Sequence, residues 1–243
     1  MFRTSSRIPF LALTGAVAIS LLGWASPALA GSGGYTDSFM PETCEFKSTG
    51  SNPFFILETG YRLVLEGREN RKDVVLTITV LDETQLVDGV ETRVVEERET
   101  ADGELVEVSR NLFAICDRTS AAFYYGEAVD NYHPGGGITH EGSWLAGEGG
   151  AVAGVLMPGE ILLGARYFQE VAPGVAMDRA TVVGMGLVVE TPAGTFTDCI
   201  RTKETTPLEP NDNEFKLYAP GIGIIVDASL KLTSHGFSPL FGD

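Results

Sequence analysis

A repeated alternation of side chains with a period of two residues constrains this chain most. In the segment DVVLTITVL, alternate residues from Val74 to Val80 fall on one face of an extended chain, and the residues between them fall on the other. The segments YRLVLEG and EFKLYAP repeat the pattern. Beyond the first thirty residues, no segment combines ten or more residues at helical spacing with capping signals. The sequence therefore predicts an all-β protein.

Two Asp-Gly pairs indicate how consecutive strands connect. The pairs lie in LVDGVE and TADGEL, between strand-like runs, and Asp-Gly is typical of the two-residue hairpin loop in which both central residues take positive φ. We expect residues 83–87 to pair with 90–99, and that strand to pair with 104–116. Further alternating segments are AAFYYGEAV, ARYFQEV, RATVVGMGLVVE and TFTDCIRTKE. Because a sheet of this size must protect its edges, we predict an antiparallel meander forming a curved sheet, half-barrel or barrel.

The first thirty residues are typical of a secretory signal peptide. Arg3 and Arg7 precede an apolar run, and SPALA ends in the small-x-small pattern that signal peptidase reads. We predict cleavage after Ala30, export to the periplasm or the extracellular space, and no membrane span in the cleaved chain. Residues 31–52 are rich in Gly and Ser and are predicted as a flexible lead-in, followed by a single β domain over residues 53–243.

The charge balance argues against nucleic acid as a partner. The chain has 17 basic and 33 acidic residues, a net charge of -16. Removal of residues 1–30 would take away two arginines and leave 15 basic against 33 acidic residues. Binding to phosphates requires clustered Lys and Arg, and an acidic chain offers few. The acidity is typical of a soluble exported protein, and no D-x-[DN]-x-[DN]-G calcium loop occurs.

Three cysteines, Cys44, Cys116 and Cys199, permit three single bridges and leave one thiol over. None has the C-x-x-C spacing of a redox or zinc site. Cys116 and Cys199 both fall in strand-like segments, so our first expectation in an oxidising compartment is a bridge between these two.

The stretch HPGGGITHEGSW contains two of the three histidines of the chain. If the glycines at 136–137 form a two-residue turn, His133 and His140 lie opposite each other, with Cβ atoms about 4.5 to 5.5 Å apart. Two imidazoles at that distance can share a Cu²⁺ or Zn²⁺ ion. The candidates for a third ligand are Asp130, Glu148 and His235. The alternative is an exposed hairpin tip that binds no metal.

No catalytic signature is present in the sequence. Neither a G-x-S-x-G nor an S-x-x-K motif occurs, and the carboxylates of VVEERE and DGELVE are typical of a solvated strand face. We name no catalytic residue and expect a non-enzymatic protein. A hydrolase of unknown class stays as an alternative.

Apolar segments suggest a different kind of site. Strands such as GVLMPGEILLG and GIGIIVDASLKL are apolar on both faces, and would line a cavity if a barrel closed around one. They would equally form an ordinary core. The candidate wall residues are Phe123, Tyr124, Tyr125 and Trp144. Our first hypothesis is a binding protein of the bacterial cell envelope for a small apolar or lipid-like ligand, and the second is a periplasmic Cu or Zn protein built on the histidine pair.

The C-terminal third carries two further motifs, PAGTF and YAPGIG, within residues 189–227. They resemble the PAGTF and YAPGxG motifs of a family of exported bacterial proteins of uncharacterised function. NPFFILETGYRLVLEG and HEGSWLAGEGGAVAGVLMP are similar to earlier segments of that family, so the resemblance covers most of residues 52–227. It implies a β-rich exported domain related to lipoprotein-carrier-like half-barrels, and it implies no reaction or ligand.

Overall fold

A computed structural model describes residues 34–237, so the predicted signal peptide and its cleavage site lie outside the described residues. Within 34–237 the chain forms one 3₁₀ turn, Pro41–Thr43, and eighteen strands, and it contains no α-helix. None of the described segments is a helix long and apolar enough to cross a membrane. In chain order the strands are β1 (Phe46–Lys47), β2 (Gly50–Asn52), β3 (Phe55–Leu57), β4 (Tyr61–Glu69), β5 (Lys72–Val87), β6 (Val90–Ala101), β7 (Glu104–Cys116), β8 (Ala122–Tyr132), β9 (Ile138–Thr139), β10 (Trp144–Leu145), β11 (Val152–Met157), β12 (Arg166–Phe168), β13 (Glu170–Val171), β14 (Arg179–Thr191), β15 (Gly194–Thr205), β16 (Glu214–Ala219), β17 (Gly223–Asp227) and β18 (Leu230–Phe237).

Sixteen of these strands form one antiparallel sheet that is nearly closed into a barrel. Its order is β12-β14-β15-β16-β17-β18-β4-β5-β6-β7-β8-β11-β13, and the short strands β1, β9 and β10 are added along β7 and β8. The strands at the two ends of this order, β12 and β13, follow each other in the chain. At one end β12 pairs with β14, and at the other end β13 pairs with β11. The segment 166–171 therefore belongs to both ends and brings them together. The predicted all-β antiparallel fold is confirmed.

The two Asp-Gly hairpins join β5 to β6 and β6 to β7, as predicted. Asp88 and Gly89 have φ values of 48° and 79°, and Asp102 and Gly103 have φ values of 52° and 82°. Positive φ at both central positions is the condition for the two-residue turn whose twist matches the strands. Val87 pairs with Val90 across the first turn, and β5 extends back to residue 72 because the alternation of DVVLTITVL continues into it.

The proposed aromatic wall residues are all buried, but they lie on two faces of the sheet. Tyr124 stacks on Phe113 with ring centroids 4.7 Å apart, and its ring meets Trp144 edge to face at 5.2 Å. The neighbouring Phe123 and Tyr125 point to the other face, where both rings contact Phe46 of β1. Only the Tyr124 side of β8 therefore faces the interior.

Residues 34–52, in the segment predicted as a lead-in, lie against the outside of the sheet. Thr36 forms an isolated bridge with Tyr167, and β1 places Phe46 opposite Cys116 of β7. Cys44 consequently comes within bonding reach of Cys116, with Cα atoms 5.1 Å apart, and the two form a disulfide. Cys199 is a buried free thiol on β15. The expected Cys116–Cys199 bridge is wrong, because β7 and β15 are not neighbours in the sheet.

The hairpin of β2 and β3 forms a separate two-stranded sheet that lies across one end of the barrel. It packs against β7 on one side and against β17 on the other, and these two strands are separated in the sheet by β18, β4, β5 and β6. Asn52, at the tip of the hairpin, donates through its Nδ2 to the carbonyl oxygens of Met157 and Pro158 at 3.2 Å and 2.8 Å. The hairpin thus closes the barrel at this end.

Candidate functional site

An apolar cavity of about 60 Å³ lies inside the barrel, beneath the β2–β3 hairpin. We call it the interior cavity. Its wall is made of side chains from the hairpin and from strands on both sides of the barrel, and most of these side chains are apolar. The lining residues are Phe55, Ile56, Tyr61, Leu63, Ile78, Val80, Val95, Glu97, Phe113, Leu156, Lys216, Tyr218, Ile222, Gly223 and Ile224.

The β2–β3 hairpin supplies the outer wall of the interior cavity through Phe55 and Ile56. The Phe55 ring meets the Phe113 ring edge to face, with centroids 5.1 Å apart. The turn before β3 is anchored to the rim, because the carbonyl oxygen of Pro53 accepts a hydrogen bond from the Gly221 amide at 2.7 Å. Phe55 and Ile56 are only partly buried, so this wall faces solvent on its outer side.

The cavity wall contains a buried lysine held between two carboxylates. Lys216 is 2% exposed, and its Nζ lies 3.3 Å from Glu204 Oε2 and 3.6 Å from Asp227 Oδ1. Strand pairing explains the arrangement, since Asp227 lies directly opposite Lys216 on β17 and Glu204 lies on β15, the other neighbour of β16. Burial alone would lower the pKa of Lys216, but these carboxylates outweigh burial and raise it above its usual range. Lys216 is therefore charged at neutral pH.

On the opposite side of the barrel, β6 and β8 carry inward-facing carboxyl groups. Glu97 lines the interior cavity, and Glu127 is buried further along the same face. Burial, together with the charges of Glu97 and Glu107, raises the pKa of Glu127 to about 8. Burial also raises the pKa of its neighbour Tyr124. Glu127 is thus largely protonated at pH 7.

A second space of about 570 Å³ lies outside the barrel, where the N-terminal segment meets the closing segment 166–171. It is larger but more open, and its charged residues are Arg118, Glu160 and Arg166. Arg118 is already engaged, since its guanidinium donates to Thr43 Oγ1 at 2.6 Å. We regard the interior cavity as the better candidate because it is less open than the second space, mostly apolar and bounded by a fully buried charged residue.

The structure separates the two histidines of the predicted metal site. The turn centres on the glycines at 135–136, which have φ values of 100° and 98°, and Tyr132 pairs with Ile138. This pairing differs by three residues from the predicted one, so His133 and His140 do not oppose each other. An odd shift places two residues on opposite faces of a ribbon.

Each histidine has its own partner instead. His133 Nε2 lies 2.9 Å from Thr139 Oγ1, and His140 Nδ1 lies 2.9 Å from Asp130 Oδ1. His235 is on β18, where its ring contacts Phe196. Among residues 34–237, no group of three or more His, Cys, Asp or Glu side chains could hold a metal ion.

Sequence reasoning missed Lys216, Glu97 and Glu127. A signal for one of them was present, because EFKLYAP alternates with Lys216 in phase with Tyr218, so an inward tyrosine implies an inward lysine. For Glu97 no comparable signal exists, since β6 carries carboxylates on both faces. For Glu127 none exists either, because the residues before it on β8 are apolar on both faces.

Comparisons with protein-family models, with curated proteins and with solved structures found no match to this chain. The fold and the site define it as a barrel-like antiparallel β protein with a partly enclosed apolar cavity, one wall of which carries a buried ion pair.

Proposed function

We propose that this protein is an exported, non-enzymatic binding protein of the bacterial cell envelope, and that it binds a small apolar ligand in the interior cavity. The observation that carries the proposal is the cavity itself, which is bounded by the sheet and covered on its outer side by a separate hairpin. Ligand pockets are typically concave and apolar, with a few polar groups that orient the ligand. Lys216, Glu97 and Tyr218 are such groups in an otherwise apolar wall.

The size of the cavity indicates how a ligand would enter. An apolar cavity of about 150 Å³ holds a benzene-sized molecule, whereas the interior cavity measures about 60 Å³. A larger ligand therefore requires the outer wall to move. Phe55 and Ile56 form that wall, and they belong to a two-stranded hairpin outside the main sheet. Displacement of the hairpin would add the volume of these side chains without breaking the barrel.

Export is supported by two independent features. The N-terminal thirty residues have the sequence pattern of a signal peptide. The Cys44–Cys116 disulfide joins residues 72 positions apart, and such bridges persist in oxidising compartments and are rare in the cytosol.

Binding of an uncharged fluorescent probe, N-phenyl-1-naphthylamine, to the purified protein tests this function. We expect Phe55→Ala to bind the probe at least tenfold more tightly than the wild type, because the substitution enlarges the interior cavity at its outer wall. Phe46→Ala is the matched control, since it removes a partly buried ring on the outer face of β8. Probe binding that is absent in both the wild type and Phe55→Ala, with both proteins folded, would contradict the proposal.

A further inference from the structure

The space of about 570 Å³ outside the barrel has the features of a second ligand site. We call it the outer groove. Its apolar part is formed by Phe39, Phe123 and Val155, and its charged residues are Arg118, Glu160 and Arg166. The volume lies within the range of about 300 to 1,000 Å³ that is typical of small-molecule sites.

The outer groove lies at a seam of the sheet. β11 pairs with β8 and β12 pairs with β14, and no ladder joins β11 to β12 among the described strands. The N-terminal segment is bound to β12, because the Thr36 amide donates to the Arg166 carbonyl oxygen at 2.9 Å and the Phe168 amide donates to the Thr36 carbonyl oxygen at 2.8 Å. Further along, the Cys44–Cys116 disulfide ties the segment to β7. The segment is thus held at both ends, and the groove beside it is formed by the fold itself.

The inner side of the outer groove is apolar. Val155 of β11 lies directly opposite Phe123 of β8 in the ladder, and both side chains belong to the buried core. Phe39, in the N-terminal segment, meets the Phe123 ring edge to face, with centroids 6.1 Å apart, and it is only partly buried. These three side chains offer no hydrogen-bonding group, so this part of the groove suits an apolar group.

The two arginines of the outer groove have no carboxylate partner among residues 34–237. Arg68, Arg93 and Arg110 each form an ion pair with a carboxylate, whereas Arg118 and Arg166 form none with a described residue. Their charges are therefore available to a ligand in the groove.

The guanidinium groups keep donors for such a ligand. Arg118 donates through Nε and Nη2 to Thr43 at 3.4 Å and 2.6 Å, which leaves its Nη1. The guanidinium of Arg166 lies 5.6 Å from the centroid of the Tyr35 ring and donates no hydrogen bond to a described residue. Glu160 is the one acidic residue that lines the groove, so the lining carries two positive charges and one negative charge. In a chain with a net charge of -16, this locally positive groove attracts anions.

We propose that the outer groove binds a single-chain amphiphile with a carboxylate head, a fatty acid. The carboxylate accepts hydrogen bonds from Arg166 and Arg118, and arginine donates to a carboxylate in a bidentate geometry. The alkyl chain lies against Phe39 and the apolar inner side of the groove. This site is separate from the interior cavity, so the inference goes beyond the function proposed for that cavity and does not depend on it.

Binding of a dansyl-labelled undecanoic acid to the otherwise wild-type protein, followed by dansyl fluorescence, tests this site. We expect Arg166→Gln to weaken binding about tenfold, because it removes hydrogen bonds between charged groups. Arg98→Gln is the matched control, since it removes the same charge at an exposed position of β6 and should leave the affinity unchanged. Thr36→Trp, which fills the groove from the N-terminal segment, should also weaken binding about tenfold. Ser38→Trp, at an exposed position that does not line the groove, should not.

Displacement of the labelled acid by decanoate, decanol, decylamine and acetate tests both parts of the ligand. Decanoate should displace it at a concentration about tenfold lower than decanol or decylamine, and acetate should not displace it. Equal displacement by decanoate and decanol overturns the role of the arginines, and displacement by acetate as strong as by decanoate overturns the role of the chain.

The outcomes separate this inference from the function proposed for the interior cavity. Binding of the labelled acid that is absent in the wild type, or that Arg166→Gln and Arg98→Gln change equally, overturns the outer-groove site. Neither result affects the binding of N-phenyl-1-naphthylamine to Phe55→Ala, which reports on the interior cavity. Arg166→Gln, at an exposed position, keeps the test decisive if Thr36→Trp does not fold.

Discussion

The titration of Glu127 provides a quantitative test of how the barrel interior is packed. Its side chain is 5% exposed and is hydrogen-bonded to Tyr124. The hydroxyl of Tyr124 also donates to Asn111 Oδ1. Burial, with the charges of Glu97 and Glu107, raises the pKa of Glu127 to about 8, and the hydrogen bond with Tyr124 opposes this rise.

The sign and size of the pH effect follow from this shift. The pKa of Glu127 rises from 4.5 in its ordinary state to about 8 in the folded protein, so the folded state holds a proton that the unfolded chain releases. The stabilising contribution is fully present below pH 4.5 and is lost as the pH rises towards 8. At about 1.36 kcal/mol per pKa unit, the loss reaches roughly 5 kcal/mol, with a slope of about 1.4 kcal/mol per pH unit.

Glu127→Gln removes this titration while keeping a group that donates and accepts hydrogen bonds. We expect the free energy of unfolding of the variant, relative to the wild type, to increase steadily between pH 5 and pH 8, measured by urea denaturation followed by intrinsic fluorescence. Comparison of the two proteins cancels the contributions of Asp178 and Glu214, whose pKa values burial raises to about 6 and about 7. Glu83→Gln, at an exposed position of β5, should show no such trend. A difference between Glu127→Gln and the wild type that stays constant across this range would refute the reasoning.

Two further substitutions test the disulfide and the closure of the barrel. Cys44→Ser should lower the free energy of unfolding by about 4 kcal/mol, the chain-entropy value for a loop of this length, whereas Cys199→Ser should leave the bridge intact in mass-spectrometric peptide mapping; recovery of a peptide linked through Cys199 would contradict the pairing. Gly154→Ala should destabilise the protein by about 3 kcal/mol, because a Cβ there would lie 2.4 Å from the backbone oxygen of residue 169; an unchanged melting temperature would show that β11 and the closing segment are not packed as described.

Most of the antiparallel meander could be predicted from the sequence, because the signals that determine it lie within single strands and turns. Alternation fixes which residues share a face, and the Asp-Gly pairs fix the register of β5, β6 and β7. The closure of the barrel could not be predicted, because β12 and β13 together contain five residues and pair with strands on opposite ends of the order. The strand β1 has two residues, too few to show a period, and for that reason the position of Cys44 beside Cys116 was missed.

The histidine hairpin shows where local information is ambiguous. Three consecutive glycines, at 135–137, can each take positive φ, so the sequence does not determine which two form the turn. The structure places the turn at the first two, and the change moves His140 next to Asp130 rather than His133. The prediction of an opposed pair depended on one choice among equivalent glycines, whereas the Asp-Gly turns left no such choice.

The buried ion pairs of Lys216 are not explained by stability. Removing two or three charges from water costs several kcal/mol per ion, and apolar residues of similar volume are often as stable or more stable. An ordinary barrel core would therefore have apolar residues at positions 204, 216 and 227, as it does at Leu65 and Leu76. The lysine lies at the wall of the one apolar cavity described inside the barrel, where a charged wall affects which molecule can enter.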